Sequence, residues 1–124
     1  MKEVFLVFVG GGLGSLLRYQ LGRFINQTYL SAFPTATLIV NILACLLLGL
    51  VLGYLNKPEH QNQAFKLLLA VGFCGGFSTF STFSYETLTL IRQGQTTLAL
   101  GNVFISVILG LAATFIGLVL VKPT

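Results

Sequence analysis

Four long, apolar and nearly uncharged runs restrict the fold of this chain more tightly than any other feature. A bilayer core of about 30 Å is crossed by about 20 helical residues. The runs Val4 to Ile25, Ala36 to Leu55, Phe65 to Ile91 and Leu98 to Val121 all reach that length. Arg18 and Arg23 interrupt the first run, and Asn41 is the only strongly polar residue inside the second. Short polar links join the runs at Asn26 to Thr35, Asn56 to Gln63 and Arg92 to Thr97, and Pro34, Pro58 and Pro123 fall at run ends. Proline does least damage there. Only 8% of the 124 residues are charged, too few to cover a water-soluble fold, which carries about a quarter. The chain is predicted to be an all-α integral membrane protein with one four-span domain over residues 1–124. The apolar stretch after Lys2 and Glu3 continues past Arg18 with no small-residue cleavage site, so it reads as a span rather than a removable signal.

The formal net charge of +4 raises nucleic acid as a partner, but distribution excludes it. Lys2, Arg18, Arg23, Lys57, Lys66, Arg92 and Lys122 stand singly, with no basic patch. Near the ends of apolar runs they suit lipid headgroups. With four spans, Lys2, Lys57, Lys66 and Lys122 fall on one side, and Arg18, Arg23 and Arg92 on or towards the other. That balance is too even for the positive-inside rule to select one orientation. A chain inserting both ways would allow an antiparallel, dual-topology dimer.

The third run is too long and too polar at its centre for one plain helix. It reads Gly72-Phe73-Cys74-Gly75-Gly76-Phe77-Ser78-Thr79-Phe80-Ser81-Thr82-Phe83-Ser84. Paired glycines followed by hydroxyl residues predict a helix break at mid-membrane, between Gly75 and Thr79. Unpaired backbone at that depth is tolerated only when buried in protein or facing a cavity. Gly10/Gly14, Gly49/Gly53 and Gly72/Gly76 have the small-xxx-small spacing of closely packed helices, here read as packing within one subunit. Gly10-Gly11-Gly12-Leu13-Gly14 does not match a dinucleotide fingerprint. Cys45 and Cys74 read as inert packed thiols without metal spacing, and His60 sits in a polar link with no chemistry assigned.

Helical phasing gives three inward seams. Phe80, Phe83, Ser84 and Thr87 share one face; Thr37, Asn41 and Cys45 form an i, i+4 stripe. Asn102, Ser106, Gly110, Ala113 and Gly117 share a face of the last span, with Thr114 at its edge. These seams offer hydroxyl and amide donors and almost no carboxylate, which suits a small anion. The electropositive edges of Phe80 and Phe83 can face an anion. Arg18 either snorkels outward as an anchor or draws anions into a vestibule. Each feature also has a plainer reading. Paired phenylalanines pack cores, membrane Ser and Thr bond back to their helix, and Asn41 can be an interhelical clasp. Glu86 can handle protons or pair with a basic residue.

The stretch Gly75-Gly76-Phe77-Ser78-Thr79-Phe80-Ser81-Thr82-Phe83-Ser84 resembles the signature of the Fluc (CrcB) fluoride channels. Gly10 to Tyr19 and Thr37 to Asn41 resemble further motifs of that family, and the match spans essentially the whole chain. The resemblance implies a passive fluoride channel in the bacterial inner (plasma) membrane, built as an antiparallel dual-topology homodimer with two pores. It implies that Phe80, Phe83 and Asn41 contact fluoride, that Ser106 and Thr114 form a polar track, and that Ser81, Thr82 and Arg18 line the pathway. It also implies a central structural sodium ion held by the Gly75 and Ser78 carbonyls of both subunits. Asn102 stands where the family often has tyrosine, and Gly110 where a second serine often extends the track, which puts an outer fluoride contact at Gly110 in doubt.

Two other classes fit a chain of this build. A small proton-coupled transporter needs a mid-membrane carboxylate. Glu3 and Glu59 lie outside the core, Glu86 is off-centre, and tryptophan is absent. A non-conducting membrane assembly subunit would have no need of the Ser78 to Ser84 series. Neither reading, nor the channel, calls for enzyme chemistry.

Overall fold

A computed structural model describes residues 1–121; Lys122, one of the basic residues placed on one side of the membrane, and Pro123, at the end of the last run, lie outside the described residues. Helix α1 (Lys2–Thr28) leads to α2 (Thr35–Leu55), which begins directly after Pro34. A 3-10 turn at Pro58–His60 precedes the third span, Gln63–Arg92. This span has two parts, α3 (63–77) and α4 (Phe80–Arg92). Helix α5 (Thr96–Leu120) completes the described chain. Among the described residues, four helices are thus long and apolar enough to cross a membrane.

The third span is broken, but not at its glycines. Cys74 and Gly75 keep helical backbone angles near φ −64° and ψ −38°. The helix unwinds at Ser78 (φ −79°, ψ 158°) and Thr79 (φ −148°, ψ 117°), midway along Gln63–Arg92. The expected break between Gly75 and Thr79 therefore narrows to its last two residues. Thr79 stops the chain from rejoining the same helix because its hydroxyl oxygen caps the Thr82 N–H at 3.2 Å. Upstream, Lys66–Cys74 is wound as a π-helix, a form that is rare at this length.

The glycines serve close packing instead. A Cβ at Gly10 or Gly14 would lie closer than 3.0 Å to the α3 backbone at Leu68 or Phe73, and one at Gly76 equally close to Gly11. Gly49 and Gly117 stand in the same relation between α2 and α5. Helix α1 thus lies along α3, and α2 along α5. Without a hydrophobic drive between helices in lipid, such backbone approach is a main source of cohesion. Two small cores, Val40-Ala44-Phe77 and Val51-Leu55-Ala70, join α2 to α3. The far end of α4 closes on Gly94, whose φ of 77° permits a Schellman turn with Gln95 N–H on the Leu90 carbonyl at 2.8 Å. Large apolar side chains such as Phe8, Phe80, Phe104 and Leu111 face outward.

Candidate ion pathway

Unwinding a helix inside a membrane exposes backbone groups that hydrocarbon cannot satisfy. Here side chains take over that task, one group at a time. Asn41 on α2 clamps Thr79 reciprocally: its Nδ2 donates to the Thr79 carbonyl at 3.0 Å, and its Oδ1 accepts the Thr79 N–H at 2.8 Å. Arg18 Nε and Ser15 Oγ on α1 both donate to the Gly76 carbonyl, at 3.1 and 3.4 Å. Arg18, two-thirds of the way along α1, is therefore turned inward onto the break, not outward as a plain anchor. The Thr79 hydroxyl donates to Thr82 Oγ1 at 3.0 Å while accepting the Thr82 N–H, and lies 3.4 Å from Ser81 Oγ.

These diversions leave a definite remainder. In a continuous helix the Gly75 carbonyl would receive the Thr79 N–H, and the Ser78 carbonyl the Thr82 N–H. The first donor is turned to Asn41 and the second to the Thr79 hydroxyl. Both carbonyls thus lose their helical donors. Gly75 is exposed, with nothing within 4 Å of where a Cβ would stand, and Ser78 is half-buried. Two under-used carbonyl oxygens on an open side of the subunit form a donor set that fits a hard monovalent cation.

Beside the break lies a cavity of about 490 Å³ lined by Arg18, Arg23, Thr37, Thr79, Thr82 and Glu86, among others. Its two guanidinium groups outnumber its one carboxyl group, Glu86, which leaves the cavity favouring anions, and desolvation by helix walls strengthens that preference. Glu86 accepts a 2.5 Å hydrogen bond from the Thr37 hydroxyl, so a hydroxyl is its hydrogen-bond partner among the described residues.

Phe80 and Phe83 begin α4 and touch each other, with ring centroids 5.8 Å apart and planes tilted by 41°. Phe80 is 78% exposed within one subunit, whereas Phe83 is half-buried. The wall formed by α5 carries the other predicted residues. Ser106 donates to Asn102 Oδ1 at 3.3 Å, and Thr114 to the Gly110 carbonyl at 3.1 Å. A Cβ at Gly110 would meet Cys45 Sγ at an ordinary 3.5 Å.

The structure brings Arg18, Asn41 and Thr82 together around the break, places Ser81, Phe80 and Phe83 on the first turn of α4, and sets Ser106 and Thr114 along α5. Ser15 and the Thr79 side chain were not among the predicted pathway residues. Thr79 has a visible signal, a hydroxyl residue just before a helix start with Thr82 three positions on. The pairings Thr37–Glu86 and Asn102–Thr87 have no local signal, because each joins two spans.

A continuous stretch, residues 5–118, matches the family model described as CrcB-like protein, Camphor Resistance (CrcB). This chain belongs to the CrcB family. It is 44% identical over 122 residues to the fluoride-specific ion channel FluC of Flavobacterium psychrophilum, an alignment covering 98% of both chains. It is 45% identical to the FluC of Pyrococcus furiosus over the same share of each. The FluC of Pseudomonas fluorescens is 48% identical over 117 residues, 94% of both. The broken third span is thus described in a CrcB chain that aligns with these relatives almost end to end.

Proposed function

We propose that this chain is the subunit of a fluoride channel of the plasma membrane, working as an antiparallel dual-topology homodimer with two pores. The observation that carries this reading is the break itself, an unwound Ser78–Thr79 held open by Asn41 and Arg18 beside an arginine-lined cavity and a phenylalanine pair. Relatives named as fluoride-specific channels, aligned along nearly the whole chain, support the choice of ion. Passage needs no bond to be made or broken, so the protein is a channel and not an enzyme.

Arg18 and Arg23 draw the anion into the cavity. Their field offsets part of its dehydration cost, and the hydroxyls of Ser81 and Thr82 replace lost water. Asn41 spends one amide proton on Thr79, and its second remains for the ion. Phe80 and Phe83 then present ring edges, the positive part of the ring quadrupole, which suit a small anion better than hydrocarbon does. Ser106 and Thr114 continue the path along α5. The hydroxyls of Ser106 and Thr114 are already engaged, with Asn102 Oδ1 and the Gly110 carbonyl, so binding there stays weak enough for the ion to leave.

The exposed Phe80 and the open side at Gly75 and Ser78 suit burial against a second, inverted copy. Gly75 and Ser78 of both subunits would then hold one sodium ion through four carbonyl oxygens. When bound, sodium supplies fixed positive charge and caps carbonyls that the break leaves without donors.

Fluoride efflux from liposomes holding the purified protein tests the reading, with chloride as control. Rapid fluoride release without chloride release is expected, and no release above empty liposomes refutes it. Dual topology has its own test, a single cysteine at Gln61 in a background lacking Cys45 and Cys74. Labelling from both sides is expected, and labelling from one side only refutes the antiparallel arrangement.

A further inference from the structure

The most enclosed polar side chain lies outside the break. Asn102 on α5 is 1% exposed and sits in a line of hydrogen bonds that crosses to α4. Its Nδ2 lies 2.9 Å from Thr87 Oγ1, its Oδ1 lies 3.3 Å from Ser106 Oγ, and Thr87 Oγ1 lies 2.7 Å from the Phe83 carbonyl.

The polarity of this line follows from its last member. A backbone carbonyl can only accept, so the Thr87 hydroxyl must donate to Phe83. The Thr87 oxygen is then left as an acceptor, which requires the amide nitrogen of Asn102 to face it. The amide oxygen consequently faces Ser106, and the Ser106 hydroxyl must donate. Every proton in the line points from Ser106 towards Phe83, and reversing any one leaves two donors or two acceptors face to face.

A serine has a single hydroxyl proton, and that of Ser106 is committed to Asn102. The link is also the longest of the three, above the 2.7–2.8 Å at which O–H···O bonds cluster. It is the first to yield when a charged acceptor arrives, because charge-assisted hydrogen bonds are about twice as strong as neutral ones. Ser106 is half-buried whereas Asn102 is sealed, so a passing ion meets Ser106 and not the amide.

We propose that Asn102 is a positioning residue that competes with the passing anion for the Ser106 hydroxyl proton and so sets how tightly the ion is held at that level of the pore. The inference rests on the channel reading and deepens it. Asn102 loosens the hold on the ion, which favours release over retention. Thr87 keeps the amide oriented, and the Phe83 carbonyl keeps Thr87 oriented. The alternative is a plain clasp between α4 and α5 with no influence on the ion.

The test is a double-mutant cycle on fluoride efflux from liposomes, reading half-saturating fluoride and maximal rate separately. Asn102→Leu keeps the branched four-atom outline of the side chain and removes the amide, though leucine is the bulkier. It is expected to lower half-saturating fluoride roughly five-fold, the worth of one ordinary hydrogen bond, and to lower the maximal rate. In a Ser106→Ala background Asn102→Leu should shift neither. An equal shift in both backgrounds, or none in either, overturns the proposal. Should Asn102→Leu fail to fold, Thr87→Val decides. It should lower half-saturating fluoride in the same direction, while Thr87→Ser, which keeps the hydroxyl, restores the wild-type value. Thr87→Val matching the wild type, or Thr87→Ser matching Thr87→Val, overturns it. Wild-type liposomes that release no fluoride would defeat the channel reading, a result distinct from any failure within the cycle.

Discussion

Replacing Asn41 by leucine removes both hydrogen bonds that hold Thr79 in the break, at 3.0 and 2.8 Å. Leucine keeps the branched four-atom outline of the side chain, so the change is mainly polar, with some crowding from its larger methyl groups. An ordinary hydrogen bond contributes about 0.5–1.5 kcal/mol net, which gives roughly 1–3 kcal/mol for the pair. The Thr79 N–H and carbonyl then lack partners in a poorly hydrated interior, which adds to the loss. Membrane measurements temper the estimate, since side-chain hydrogen bonds there average about 0.6 kcal/mol. A loss of about 2 kcal/mol per subunit is expected. Converted at roughly 2–4 °C per kcal/mol, the scaling for chains of 150–250 residues, it lowers Tm by roughly 4–8 °C. Asn41→Asp separates the two bonds. It keeps an acceptor for the Thr79 N–H but sets an oxygen against the Thr79 carbonyl, so it should recover only part of the stability. The assays are thermal loss of the monodisperse peak in detergent and fluoride efflux from liposomes. Both should fall in Asn41→Leu, with flux falling further because the amide proton left for the ion is also gone. Unchanged Tm and wild-type flux in a folded Asn41→Leu protein would refute the reasoning.

Phe83→Ile is expected to assemble normally and to lose most fluoride flux, since an aliphatic side chain has no electropositive edge; wild-type flux in liposomes would count against the ring-edge role. Gly76→Ala should sharply lower the yield of folded protein, because its Cβ falls within 3.0 Å of Gly11 backbone, whereas Gly12→Ala has nothing within 4 Å and should behave as wild type; size-exclusion profiles of the pair decide. Replacing sodium by a large organic cation at fixed ionic strength should weaken flux or dimer stability through the Gly75 and Ser78 carbonyls, and equal activity after exhaustive removal would exclude a structural cation. Gly110→Ser should fold as well as the wild type, because its Cβ meets Cys45 Sγ at 3.5 Å, and should lower half-saturating fluoride by adding a donor to the α5 track; an unchanged or higher half-saturating fluoride in the folded variant would contradict that.

Span number, order and approximate limits were legible in the amino-acid sequence, because hydrocarbon forces each crossing to satisfy its own backbone and leaves long apolar runs as the record. The glycine pairs were equally plain, since close approach in lipid depends on the local absence of a side chain. Phe80, Ser81, Thr82 and Phe83 could be placed on one segment for the same reason, all being neighbours in the chain.

What joins one span to another was not legible. The third span's glycines and hydroxyl residues pointed to a break somewhere between Gly75 and Thr79, yet only the packed structure shows that Gly76 yields room to Gly11 while the chain unwinds at Ser78 and Thr79. That choice depends on Asn41, thirty-eight residues from Thr79, and on Arg18, fifty-eight from Gly76, arriving as substitute partners. No local preference encodes such a meeting. The direction of the Ser106–Asn102–Thr87 line is of the same kind, because it is set by one backbone carbonyl that can only accept. Hydropathy is a property of each residue in its solvent, so the sequence by itself determined how this chain enters a membrane; hydrogen bonding is a property of pairs, so only the tertiary structure decided where the third span opens and which donors remain for an ion.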